Sequence, residues 1–335
     1  MKFRSVIKPL VRMGLASLIL AMVFNSCNTI WSGEEECPQG LNLRFVYDYN
    51  MEYADAFNSQ VHCVSVLIFD ENGNYVTTVE ETGEALKDED YRMELELEPG
   101  NYTLVAYGGY ACEDRSFNIT PFVTKSASHI NELYAEMEHN DFVSNDEKHD
   151  FFHGILNFSV EDNKMAEEKV FLVKNTNNIR IVLQQMNGEI ISPEEFTFTI
   201  TDDNSYMNVE NAVIPKGLVT YQPWASGQMS VGTAEDGETP ITAAYAEFST
   251  SRLTVGTAPK LVIRSVEKDE DIINIPLNNY LLLLKSDRYS EMGAQEFLDR
   301  ESVWTMLFLL DSNNRWINTH IIVNGWIVRL NHVEM

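Results

Sequence analysis

From Leu41 onward the apolar positions repeat every second residue. Leu41, Leu43, Phe45, Tyr47 and Tyr49 alternate with Asn42, Arg44, Val46, Asp48 and Asn50, the pattern of a half-buried strand. Val61–Phe69 (VHCVSVLIF) is more continuously apolar and predicts a more buried strand. The turn Asp70-Glu71-Asn72-Gly73-Asn74 closes it, and Tyr75–Val79 follows as its hairpin partner. Tyr91–Leu97 alternates again, Pro99-Gly100 turns the chain, and Tyr102–Tyr107 returns into Gly108-Gly109. A strand is expected at Ile130–Met137 and another at Phe151–Val160, with the acidic, lysine-bearing stretch Glu161–Lys169 as the boundary of a first domain.

The second half opens with Val170–Lys174 and Asn178–Gln184, then Phe196–Ile200 closed by Thr201-Asp202-Asp203-Asn204. Strands are expected at Ala243–Ser249, Lys260–Val266, Ile272–Pro276, Leu281–Lys285 and Val303–Leu310, and over Ile317–Leu330 around Asn324-Gly325. Glu291–Glu301 predicts a helix, with Met292, Phe297 and Leu298 for one face. Short strands separated by turn signals argue an all-β sandwich. Both halves open with an alternating strand followed by one closed by an Asp/Asn turn, which suggests two copies of one sandwich type.

The N-terminal segment follows another pattern. Leu15–Cys27 reads LASLILAMVFNSC, preceded by Lys2, Arg4, Lys8 and Arg12, and no acidic residue occurs before Glu34. A basic start, an apolar stretch and a small residue before a cut site make a secretory signal. Its apolar part is about half the ~20 residues a spanning helix needs. Ser26 before Cys27 fits a relaxed lipoprotein box, so the signal is expected to span residues 1–26 and the mature chain to begin at an acylated, palmitate-bearing Cys27. An ordinary secretory signal cut nearby would leave Cys27 a plain thiol. Residues 27–39, with Gly33, Glu34–Glu36 and Pro38, read as an acidic tether. Domains are expected at 40–166 and 167–335.

Charge narrows the function. With 24 Lys+Arg against 51 Asp+Glu the net is −27, which excludes nucleic-acid binding and adhesion to an anionic bilayer through surface charge. Membrane attachment must come from lipid, which takes two or more acyl chains to hold stably. Of the four cysteines, Cys37, Cys63 and Cys112 remain if Cys27 is lipidated, and three pairings are possible. If Val61–Phe69 and Tyr102–Tyr107 are antiparallel neighbours, the start of one meets the end of the other, which brings Cys63 to Cys112 and leaves Cys37 at the far end.

No residue pattern announces catalysis. His149-Asp150-Phe151-Phe152-His153 has two histidines four apart, the spacing of a helical zinc pair. In an extended chain that spacing separates them by ~13 Å. Asp70, Asn72 and Asn74 with Glu81 outline a calcium loop whose glycine is misplaced, and a hairpin turn explains them better. Asp202-Asp203-Asn204 is likewise a turn. Trp224, Trp304, Trp316 and Trp326 offer a sugar platform or, more commonly, core packing. No Walker loop, GxSxG or dinucleotide glycine pattern is present. No enzyme activity, metal or cofactor is expected.

The segment LNLRFVYDYNMEYADAF (Leu41–Phe57) resembles the fimbrial anchor subunits of Bacteroidales, the minor-fimbrium and FimB-like anchoring proteins. Further matches follow at Val64–Val76, Tyr91–Gly109, Lys174–Gln185, Phe196–Asn204, Gln295–Glu301 and Val323–Trp326. The resemblance runs from about Cys37 to the C-terminus. It implies two tandem transthyretin-like (Greek-key) β-sandwiches and a role in anchoring a type V fimbrium. The lipidated cysteine, here Cys27, would sit in the outer membrane, at the cell surface, and the anchor would limit fibre length and support adhesion. Stalk subunits would join by strand exchange, in which an extended segment completes a neighbour's sheet. No arginine cleavage site for releasing an N-terminal strand is evident. The C-terminal strands, with Ile317, Ile321, Val323, Trp326 and Val328, are the expected polymer contact. A surface glycan- or host-ligand-binding lipoprotein is the alternative.

Overall fold

The computed structural model describes residues 39–121, 128–233, 240–283, 285, 289–323 and 326–330. The signal segment, Cys27 and Cys37 lie outside them. No described helix is long and apolar enough to cross a membrane.

The first sandwich has two layers. One is β10 (Met165–Phe171), β1 (Gly40–Val46) and β4 (Met93–Glu96), in that order. The facing layer is β11 (Val173–Lys174), β9 (Phe152–Val160), β5 (Gly100–Gly108), β2 (Cys63–Asp70) and β3 (Tyr75–Thr82). Antiparallel pairing of β2 with both β3 and β5 matches the expected order.

The second sandwich packs a six-stranded layer on a five-stranded one. The first layer runs β16 (Ala225–Thr233), β17 (Pro240–Ser251), β12 (Thr176–Gln185), β20 (Val303–Leu310), β21 (Trp316–Val323) and β22 (Trp326–Leu330). The second runs β19 (Glu270–Pro276), β18 (Lys260–Ser265), β13 (Phe196–Asp202), β15 (Val219–Tyr221) and β8 (Val143–Ser144). The expected repeat is visible in the lead strands. β1 lies between antiparallel β4 and parallel β10, and β12 lies between antiparallel β17 and parallel β20.

A small third sheet joins the halves. β6 (Phe117–Thr120), β7 (Tyr134–Met137) and β14 (Tyr206–Asn208) pair in the order β14-β7-β6. Strands β7 and β8 thus leave the first half of the sequence to pair with strands of the second. This explains why β2 reads as continuously apolar. Val64, Val66 and Ile68 face the core of the first sandwich with Leu41, Leu43 and Phe45. Leu67 and Phe69 face the other way, into a core shared with Ile119, Ala135, Met137 and Met207 and continuous with that of the second sandwich. A strand covered on both faces loses its polar alternation.

Three expectations change. Met165–Phe171 is an edge strand parallel to β1, so the 166/167 boundary falls inside a strand, and Val170–Lys174 pairs with first-sandwich strands. Its exposed Glu167, Glu168 and Lys169 are the charges an open edge carries. Ile130–Met137 is a short 3-10 turn, Ile130–Glu132, followed by β7. Leu281–Lys285 is not a strand. Leu277–Leu282 forms a helix whose Leu277 and Leu281 are buried. We number the helices α1 (Phe57–Gln60), α2 (Leu277–Leu282) and α3 (Ala294–Arg300). The last is the expected helix, shorter than its pattern, with Met292, Phe297 and Leu298 buried.

Candidate functional site

The disulfide is Cys63–Cys112, with Cα atoms 5.6 Å apart. It forms where the start of β2 meets the chain just past β5. Gly109, at φ +89°, turns the chain there. A Cβ on it would stand 2.0 Å from the Asp150 carbonyl oxygen, a contact only glycine avoids.

The sequence-derived metal patterns resolve into structural roles. His149 precedes β9, and its Nδ1 lies 3.5 Å from Asp114. His153 is buried in β9, its ring against Tyr107, and its Nε2–H donates to the Val209 carbonyl at 2.9 Å. Burial pushes the His153 pKa down to about 4. The two histidines therefore serve different places. Cys112, Asp114 and His149 also lie close together, but the disulfide takes the cysteine sulfur. Asp70 accepts from the backbone of Asn72 and Asn74 at 2.8 and 2.9 Å, which closes the hairpin turn.

The Asp202-Asp203-Asn204 turn is a buried corner. Asp202 accepts from Thr257 Oγ1 at 3.1 Å, and burial raises its pKa to about 6. Asn204 accepts from the Tyr221 hydroxyl at 2.6 Å and donates to the Arg252 carbonyl at 3.0 Å. The tryptophans do not form one platform. Trp304 is fully buried and donates to Asn177 Oδ1 at 3.2 Å. Trp316 packs edge-on to Phe308 and donates to Thr319, whereas Trp224 is exposed.

The joint between the sandwiches is held by side chains far apart in sequence. Phe117, Phe151 and Tyr107 stack in series, with centroids 4.2 and 5.6 Å apart. Asn175 and Asn211 exchange amide hydrogen bonds of 2.7 and 3.0 Å. Arg252 grips Asp299 through two 2.8 Å bonds and donates to the Asn211 carbonyl. From α3, Arg300 reaches the loop after β1. It donates to the Asp48 and Asn50 carbonyls at 3.3 and 3.2 Å, and its guanidinium lies 4.2 and 4.3 Å from the ring centroids of Tyr49 and Tyr53. Lys174, on β11 of the first sandwich, pairs with Asp150 at 2.7 Å.

The expected polymer-contact residues lie on the final hairpin. Ile317 is exposed on β21. Ile321, Val323, Trp326 and Val328 run in β21 and β22, and their side chains lie outside the described residues. In the sheet order β22 has β21 as its sole neighbour among the described strands. Among the described residues, one edge of the six-stranded layer therefore presents backbone donors and acceptors without a strand partner.

A family model for fimbrillin-A-associated anchor proteins, Mfa1 and Mfa2, matches residues 34–332. The crystal structure of a candidate adhesin from Bacteroides thetaiotaomicron is 48% identical, with a TM-score of 0.83 over 89% of this chain and 100% of that one. A candidate polysaccharide-binding protein from the same organism is 27% identical, with a TM-score of 0.74 over 87% and 98% of the two chains. The fimbrial anchor protein Mfa2 from Porphyromonas gingivalis, at 14% identity, shares the fold with a TM-score of 0.66 over 88% and 99%. No curated protein matches the chain. The chain belongs to the family of fimbrillin-A-associated anchor proteins.

Proposed function

We propose that the protein is the lipid-anchored base subunit of a type V fimbrium. Acylated Cys27 holds it in the outer membrane, facing outward, and stalk subunits join it by strand exchange. In this reading it supports adhesion by retaining the fibre and limits fibre length. The observation that carries the proposal is the reach of the anchor-family match. It begins at residue 34, shortly after Cys27, and leaves outside little more than the signal and its lipid box. The net charge of −27 adds a physical reason, because a body so acidic cannot hold an anionic surface without lipid.

The open edge of β22 supports the C-terminal hairpin as the polymer contact. A stalk strand laid there would complete the ladder and remove an aggregation-prone edge. Replacing Cys27 by Ser should release both protein and fibres into the medium. Deleting residues 326–335 should release the fibres while the lipoprotein stays in the membrane fraction. Fibres retained on cells after the first change would overturn the anchoring role. Retention after the second would overturn the hairpin assignment alone.

A further inference from the structure

The outer face of the β10–β1–β4 layer brings basic residues of three strands together. In the parallel β1–β10 register Arg44 lies opposite Lys169. The antiparallel β1–β4 register pairs Leu43 with Met93, and continuing it by one residue sets Arg92 opposite Arg44. Three cations therefore form a row across three strands, each about 4.8 Å from the next strand. Like charges directly opposite one another destabilise a sheet. In a chain with 24 basic and 51 acidic residues, such a row does not follow from composition.

Their charge is only partly answered within the protein. Arg44 meets Asp55 at 3.2 Å, but that carboxylate also accepts from the backbone of Tyr47 and Phe57. Arg92 donates to the Tyr91 carbonyl at 2.7 Å. Lys169 has no hydrogen bond or ion pair among the described residues.

The row lines a cleft of about 570 Å³ that also reaches β9, a size typical of small-ligand sites. Two further kinds of group share it. Glu167 and Glu168 offer acceptors, and Ile155 and Phe171 offer exposed apolar surface, 43% and 57% accessible. Phe171 adds an aromatic face beside the charged groups.

We propose that this cleft binds an acidic oligosaccharide, one whose sugar rings carry carboxylates. Arg92 and Lys169 take the carboxylate, the arginine in the forked geometry that a carboxylate fits. Glu167 and Glu168 accept hydrogen bonds from ring hydroxyls, and Phe171 packs against the apolar face of a ring. The glutamates decide the class. A bare anion or an anionic bilayer offers them few donors and meets their repulsion, whereas a uronic acid offers hydroxyls and a carboxylate together. The lining includes neither Cys27 nor a residue of the C-terminal hairpin, so its test does not depend on the anchoring role.

The mature chain is titrated calorimetrically with tetragalacturonate, with a neutral tetrasaccharide and with phosphatidylglycerol vesicles. The expected result is binding to tetragalacturonate that weakens with added salt, with no heat from the other two. In the Arg92→Ala/Lys169→Ala variant the affinity should fall at least about tenfold. In Phe171→Ala it should fall about threefold to tenfold. These side chains are solvent-accessible, and relief of the like-charge row should leave the double variant melting no lower than the parent. No binding to tetragalacturonate, equal binding of the neutral sugar, or affinity unchanged in both variants overturns the proposal. So does vesicle binding that the double variant loses, which would make the row a lipid contact.

Discussion

The outlying core of the first sandwich and the core at the joint are built differently. The outlying core is enclosed by two layers and draws on one stretch of chain, from Leu41 to Leu172. The core at the joint runs from Leu67 and Phe69 through the small third sheet into Ile179, Trp304 and Phe308. A linker between two independent domains leaves polar surface on each side of a hinge. Here the outer face of one sandwich is the floor of the next core. The two sandwiches should therefore move and melt as one body.

The strongest way to break this comparison is Phe151→Ala, which removes the middle ring of the joint stack. It should cost about 3–5 kcal/mol and split a single calorimetric transition into two. A single transition shifted downward as a whole would show that the coupling does not depend on this stack. Replacing Cys63 and Cys112 by Ser probes the outlying sandwich instead. The bond closes a loop of 49 residues in sequence, so its loss should cost about 2–4 kcal/mol. By denaturant titration the loss should be confined to the first sandwich once the joint is weakened.

Acid offers a third, smaller lever on the joint. The His153 pKa is lowered from 6.5 to about 4 in the folded state, so between those values the unfolded chain binds the extra proton. Its contribution is present above pH 6.5 and is lost as pH falls toward 4. By pH 5 the loss should reach about 2 kcal/mol, and His153→Gln should flatten that slope in melts at pH 7 and pH 5. Asp202 acts with the opposite sign. Its pKa is raised from 3.8 to about 6, so its cost grows as pH rises between those values and is fully present above them; Asp202→Asn should stabilise the protein at pH 7.5 and not at pH 4. The smallest effect is expected from Arg300→Met. It removes the cation between Tyr49 and Tyr53 and should cost about 1 kcal/mol, read as a slightly lower midpoint of the same transition.

What the sequence made legible follows the same division. The β2–β3 hairpin and the β2–β5 pairing were readable because turn residues and strong apolar runs sit close together along the chain. That pairing in turn placed the Cys63–Cys112 bond. The joint was not readable. β7 and β14 are four and three residues long and find each other across some seventy residues, too short for a period to show. β10 was mistaken for a boundary because an edge strand displays its charges outward, and its parallel partner β1 lies far away in sequence. Val61–Phe69 carried the one available signal. Its lack of alternation meant two covered faces, and a second cover had to come from elsewhere.

The placement of β1 has a mechanical consequence. Its ladders to β10 and β4 flank it on both sides, and Gly40 at its leading end sits tight against the Leu95 carbonyl. A pull delivered through the residues before Gly40 runs along this strand. It loads both ladders in shear, where many hydrogen bonds must fail together, rather than peeling them apart one at a time. On the proposed anchoring, a fibre's drag would thus meet a shear-loaded strand at the start of the body.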